Sequence, residues 1–223
     1  MIWLAALAFA APPKGRKQGP VEVPIDVGVG PAANLLFGPV FQEQPALGGI
    51  ALSIEAVLDK KTIRKFKSRI PGKYRKMAMN LDEVRISHPL IPHGIFLSPV
   101  GVGGSTVGMY GAVFEPVSIG MPLVKDPFSV RLGVGLVLTY AYVHSKELPS
   151  PTHFLRPGID PGIEIDLPFS DRFLVSFGWE SQLYLPQPVG GGVLEVGPLD
   201  EAIWHVGAGF VKLHFRFPIE VRP

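Results

Sequence analysis

Between Phe128 and Val143 the chain alternates without a break. Val130, Leu132, Val134, Leu136, Leu138, Tyr140 and Tyr142 fall on one side, and Arg131, Gly133, Gly135, Val137, Thr139 and Ala141 on the other. Successive side chains of a strand point to opposite faces, so this segment predicts a strand that is apolar on one face and small or polar on the other. It is longer than the roughly 9–11 residues a tilted strand needs to cross the apolar layer of a bilayer, and it ends in tyrosines, the residues of an interfacial aromatic belt.

The pattern recurs. Val211, Leu213, Phe215 and Phe217 alternate with Lys212, His214 and Arg216; Phe173, Val175, Phe177 and Trp179 with Leu174, Ser176, Gly178 and Glu180. Ile159, Ile163, Ile165 and Leu167 alternate with Asp160, Gly162, Glu164 and Asp166, and Ile50, Leu52, Ile54, Ala56 and Leu58 with Ala51, Ser53 and Glu55. A softer segment covers 105–117, where Val107, Met109 and Val113 oppose Tyr110 and Phe114, and two short strands are expected near 80–87 and 94–99, a region interrupted by Pro89 and Pro92. Together these make eight strands. The fold class expected is all-β, an antiparallel up-and-down transmembrane β-barrel, whose interior at eight strands is narrow enough for side chains to fill. Composition agrees: 26 Gly and 24 Pro in 223 residues punctuate the chain too densely for helices, and apolar residues (47%) are dispersed rather than gathered into a helical span of roughly 18. Without cysteine there are no disulfides, thiolate metal sites or cysteine nucleophiles. A net charge of +2 gives no argument for nucleic acid.

Ile2 to Ala10, closing on Ala8-Phe9-Ala10, has the form of a secretory signal. The expected organisation is a signal peptide at 1–10, a Pro/Gly-rich arm at 11–46, the barrel at 47–217 and a tail at 218–223. If the strand at 47–58 runs outward, Phe169 to Asp171 form a tight inner turn, 119–127 a longer inner turn, and 60–76, 145–154 and 187–201 lie at the outer end.

Glu55, Arg131, Glu164, Asp166, Glu180, Lys212 and Arg216 fall on inward faces, where they are expected to form ion pairs, because an unpaired buried ion costs several kcal/mol. Lys60, Lys61, Arg64, Lys65, Lys67, Arg69, Lys73, Arg75 and Lys76 form a basic run without an acid. At the outer rim its partner is expected to be lipopolysaccharide phosphate; at the inner rim, anionic phospholipid or an envelope protein. Ile63, Phe66 and Ile70 permit a short amphipathic helix on the membrane surface. His88, His93, His153, His205 and His214 have no tight metal-ligand spacing, and Gly101-Val102-Gly103-Gly104 lacks the lysine and helix of a phosphate loop. No cofactor, metal or catalytic residue is assigned.

The alternating segments over 47–217 resemble the small outer-membrane β-barrel proteins, the group that includes the OmpA membrane domain, OmpX and OmpW. The resemblance implies residence in the outer membrane of a Gram-negative bacterium, contact with its lipid and lipopolysaccharide, and a C-terminal strand, here Val211 to Phe217, read by the barrel insertion machinery. It departs from the pattern in that Pro218 to Pro223 follow the terminal aromatic. His144-Ser145, with Glu147 nearby, is similar to the His and Ser of lipid A deacylase barrels, but neighbours on a strand point apart. A binding or anchoring barrel, a lipid-modifying enzyme and a soluble periplasmic barrel with an apolar ligand remain open; the last requires apolar side chains pointing inward.

Overall fold

In the computed structural model the chain is described over residues 20–37, 46–88, 90–97, 107–124, 128–145, 152–184 and 204–221. Its strands are β1 (Val21–Phe37), β2 (Ala46–Asp59), β3 (Glu83–Ser87), β4 (Gly94–Leu97), β5 (Val107–Val124), β6 (Ser129–Ser145), β7 (Thr152–Pro168), β8 (Phe173–Tyr184) and β9 (Trp204–Val221), with helices α1 (Lys60–Lys65) and α2 (Gly72–Met79) between β2 and β3. The strands pair antiparallel with the neighbouring wall positions, and β1 also pairs with β9, so the sheet closes on itself. Both β3 and β4 lie between β2 and β5, which makes them two halves of one wall position and the barrel eight-stranded.

The number of wall positions is the expected one, but two members differ. The first strand lies inside the stretch expected to be an arm. Pro24, Gly28, Gly30 and Pro31 obscure its alternation, yet the prolines fall where the ladder needs no donor. The β1–β2 register begins at Ile25, one residue past Pro24, and the β1–β9 register skips Gly30 and Pro31. The segments near 80–87 and 94–99, expected as two strands, are one. Ser87 pairs with Glu55 and Gly94 with Ala51, so seven steps along this position oppose four along β2. The surplus leaves Ile91 and Pro92 outside the strands, and His93 rejoins the ladder on both sides, its amide donating to the Val113 carbonyl (2.7 Å) and its carbonyl accepting from the Leu52 amide (2.6 Å).

These two changes correct the position of the basic run. The Val21 and Val221 strand ends, the helical connection 60–82, the facing ends of β5 (Val124) and β6 (Ser129) and the turn 169–172 share one rim, here the terminal rim. The opposite rim joins β1 to β2, β4 to β5, β6 to β7 and β8 to β9. Residues 60–76 therefore sit with the tight Phe169 to Asp171 turn and away from the Ser145 end of β6 and the Tyr184 end of β8, because a strand not foreseen precedes them; the expected outer connections at 146–151 and 187–201 lie outside the described residues.

Side chains divide across the wall as a bilayer requires. Leu132, Leu138, Ile159, Ile163, Val211 and Leu213 are exposed outward. Tyr110, Tyr140 and Tyr142 cluster with His144 and His153 near one end of that belt, and Phe173, Phe215 and Phe217 near the other. Inward positions hold Glu55, Arg85, Arg131, Glu164, Lys212 and His214, all buried. This is the reverse of a barrel that binds an apolar ligand inside. No described helix is long and apolar enough to cross a membrane; a closed barrel is the other form whose backbone can stand in hydrocarbon.

Candidate functional site

Two groups of polar residues stand out, one inside the barrel and one on its terminal rim. Inside, Arg85 on β3 is the hub. Its Nη1 lies 2.7 Å from Glu164 and 3.5 Å from Glu55, its Nε 2.9 Å from Glu83, and its Nη2 4.0 Å from Asp166. Arg131 approaches Glu83 (2.7 Å) and Glu164 (3.9 Å) and donates to the Ser118 hydroxyl at 3.2 Å. Lys212 lies 3.5 Å from Glu164 and over the Phe210 ring. Asp166 also accepts hydrogen bonds from Ser129 and Ser176. Glu55, Arg131, Glu164, Asp166 and Lys212 thus meet in one network. Glu180 joins it through His93, which lies 2.9 Å from Glu180 and 3.9 Å from Glu55, whereas Arg216 makes a separate bidentate pair with Asp26 of β1, at 2.7 and 2.6 Å, near the terminal rim.

Glycine makes the space for these arms. Gly120, Gly133 and Gly162 form a row across β5, β6 and β7. A Cβ on Gly133 would stand 2.8 Å from the Arg131 guanidinium, and one on Gly135 2.5 Å from the Glu115 carboxyl carbon. What remains open is a cavity of ≈ 30 Å³ beside Glu115, Asp160 and Glu180, room for about one water or ion and not a channel. Sequence reasoning missed Arg85, Glu83 and Asp26 because their strands were faint or unseen, and Glu115 because a bulge at Glu115-Pro116 breaks the alternation of β5 between Phe114 and Val117.

On the terminal rim, α1 and α2 form a hairpin. Asp59 caps α1 by accepting from the Thr62 amide. Ile63, Ile70 and Ala78 are buried against Val84, with Leu58, Ile86 and Val117 around them. Val84 and Ile86 alternate with the inward Glu83 and Arg85, so the hairpin docks on the outside of the wall. The expected amphipathic helix is therefore two short helices whose buried face meets protein, with Phe66 only half-buried. Lys61, Arg64, Lys65, Lys67, Lys73 and Lys76 are exposed. Lys60 pairs with Asp82 at 2.7 Å, Arg75 is half-buried and donates to the Ile70 carbonyl, and Arg69 is half-buried. Tyr74 and Met77 stand exposed among the cations.

His144 is exposed on the outer face, its ring 6.4 Å from that of Tyr110 and 6.1 Å from that of Tyr142. Glu147 and Gly101 to Gly104 lie outside the described residues, as do 1–19. Of the other histidines, His153 hydrogen-bonds Tyr140, His205 stacks on Phe37, His214 faces the Ser53 hydroxyl at 3.5 Å, and His88 accepts from the Leu90 amide.

No family model and no curated protein matches the chain. Among solved structures it is similar to Neisserial surface protein A (NspA), at 11% identity and a TM-score of 0.52 over 86% of this chain and 97% of that one. It is also similar to Ail, the attachment invasion locus protein of Yersinia pestis, at 11% identity and a TM-score of 0.43 over 88% and 100%. A third is the N-terminal β-barrel domain of Pseudomonas aeruginosa OprF, at 12% identity and a TM-score of 0.40 over 85% and 97%. The likeness to NspA is one of fold: the chain is a closed eight-stranded barrel of the small outer-membrane type.

Proposed function

We propose that the protein is an integral barrel of the Gram-negative outer membrane, with a structural, anchoring role, and that its basic hairpin grips anionic phospholipid headgroups at the terminal rim. The observation that carries this reading is the docking of the hairpin. With Ile63, Ile70 and Ala78 fixed on the outer wall, six exposed cations are held beside the lipid-facing belt instead of on a free loop. Tyr74 and Met77, exposed between them, suit the boundary between headgroup and acyl chain. Each Lys or Arg near an anionic surface contributes about 1 kcal/mol, so the set favours phosphatidylglycerol or cardiolipin over a neutral lipid. The termini of small barrels of this type are expected on the periplasmic side, which makes inner-leaflet phospholipid a better partner than lipopolysaccharide. An envelope protein with an acidic face is the remaining reading for the same surface.

The test is native mass spectrometry of the folded barrel from mixed micelles. Phosphatidylglycerol should be retained in preference to phosphatidylcholine, and the variant with Lys61, Arg64, Lys65 and Lys67 all changed to Gln should lose that preference. Equal retention of the two lipids by the unmodified chain would remove the proposal.

A further inference from the structure

The second feature of the interior adjoins the Arg85 hub, sharing with Arg85, Arg131 and Lys212 the walls of one cavity. His93, Glu115 and Asp160 are all buried, and each offers a donor atom within 4.8 Å of the other two. Glu180 completes the group, its two oxygens 2.9 and 3.1 Å from His93 Nε2. Asp160 is only 3% exposed, yet neither of its carboxylate oxygens has a hydrogen-bond partner among the described residues. All four side chains border the ≈ 30 Å³ cavity.

We infer that His93, Glu115, Asp160 and Glu180 form a binding site for one divalent first-row transition-metal ion within the barrel.

Three observations converge on it. The first is the backbone. Two of the four donors sit at irregularities of the wall, His93 at the end of the surplus between β3 and β4 and Glu115 in the bulge between Phe114 and Val117. Bulges of this kind re-aim side chains and gather near functional sites. The second is unmet chemistry. A buried carboxylate that accepts no hydrogen bond is costly, and Glu115, Asp160 and Glu180 crowd around one imidazole on their side of the cavity, with Arg85, Arg131 and Lys212 bordering the rest of it. The third is geometry. One imidazole nitrogen and three carboxylate oxygens match the hard-to-borderline donor set of Zn²⁺, Mn²⁺, Fe²⁺ or Co²⁺. Tetrahedral ligands at about 2.0–2.2 Å from an ion are separated by about 3.3–3.6 Å, close to the present His93–Glu180 spacing and within modest side-chain movement of the rest. Spacing along the chain hides the site because its donors come from four wall positions. The same fact gives it a role: a bound ion would tie the β3/β4, β5, β7 and β8 positions together. The inference is independent of the lipid reading, which concerns the outer face of the terminal rim.

The test uses the full chain without a histidine tag, stripped with EDTA, refolded into detergent micelles, exposed to Zn²⁺ or Co²⁺, and freed of unbound metal by gel filtration. One equivalent of Zn²⁺ per folded chain is expected, together with a Co²⁺ visible spectrum of low-symmetry coordination and a higher temperature for loss of the folded gel band. Asp160→Asn and Glu115→Gln, which keep side-chain shape, should each weaken Zn²⁺ retention by more than about tenfold, the scale of losing a supporting group at a metal site. Changing the exposed His144 and His153 to Gln should leave it unaltered. The inference is overturned if the folded, unmodified chain retains no Zn²⁺ or Co²⁺, or if retention survives Asp160→Asn and Glu115→Gln. Should either variant fail to fold, the stoichiometry and spectrum of the unmodified chain still decide.

Discussion

At the scale of single residues the interior is governed by charge compensation in a space without bulk water. Arg85 faces Glu164, Glu55, Glu83 and Asp166, and its guanidinium, always charged and able to fork between acceptors, suits this better than a lysine would. Removing one partner of a buried ion pair costs about 3–5 kcal/mol, because the others are left uncompensated. Arg85→Met should accordingly lower the urea midpoint of the vesicle-embedded barrel, followed by tryptophan fluorescence. Adding Glu164→Gln to Arg85→Met should restore part of the loss, since it removes one of the stranded charges. If the double variant is no more stable than Arg85→Met alone, the two side chains are not coupled as their 2.7 Å contact implies.

At the scale of elements the hairpin shows how a basic segment is given a fixed place. Ile63 is 5% exposed and Ile70 6%, and truncating a buried isoleucine to alanine costs at least roughly 2 kcal/mol. Ile63→Ala should raise the population of an undocked hairpin by a factor on the order of 30. Trypsin cleavage between Lys61 and Lys76 should accelerate correspondingly while far-UV dichroism of the strands stays constant; unchanged cleavage would mean that these contacts do not hold the hairpin down. The same elements explain what the sequence could and could not convey. Strands β6, β7, β8 and β9 and most of β2 are legible because lipid outside and polar side chains inside impose an unbroken period of two. The first strand is not, since Pro24 and Pro31 sit where the ladder is open on one side, Pro24 toward β2 and Pro31 toward β9, and prolines there read as a loop. The β3/β4 position is not, since the surplus residues between Ser87 and Gly94 shift the period midway along a strand. The candidate metal group depends on that shift and on the bulge at Glu115-Pro116, so the irregularities that hid it from sequence reasoning are the ones that assemble it. The rim occupied by residues 60–76 was lost for a cumulative reason, because one unrecognised strand inverts every connection that follows until a second miscount restores the order.

At the scale of the whole molecule, closure determines behaviour. Pairing β1 with β9 leaves no strand edge, so every wall segment can satisfy its backbone within the sheet, the condition for standing in hydrocarbon. Opening such a wall exposes a full ladder to lipid or detergent at once, which makes unfolding slow and all-or-none. The unheated protein in SDS should therefore run as a compact band distinct from the boiled one, and it should fractionate with membranes and require detergent for release. Among the described residues the charged network and the glycine row leave voids of ≈ 30 and ≈ 20 Å³, volumes that accommodate isolated waters but no hydrated ion in transit. Reconstituted into a planar bilayer, the barrel should pass no stepwise current at neutral pH. Steady single-channel conductance, given an insertion verified by the compact gel band, would mean that the Arg85 network parts far enough to open a path, and the barrel would then have to be understood as a gated pore whose plug is its own wall.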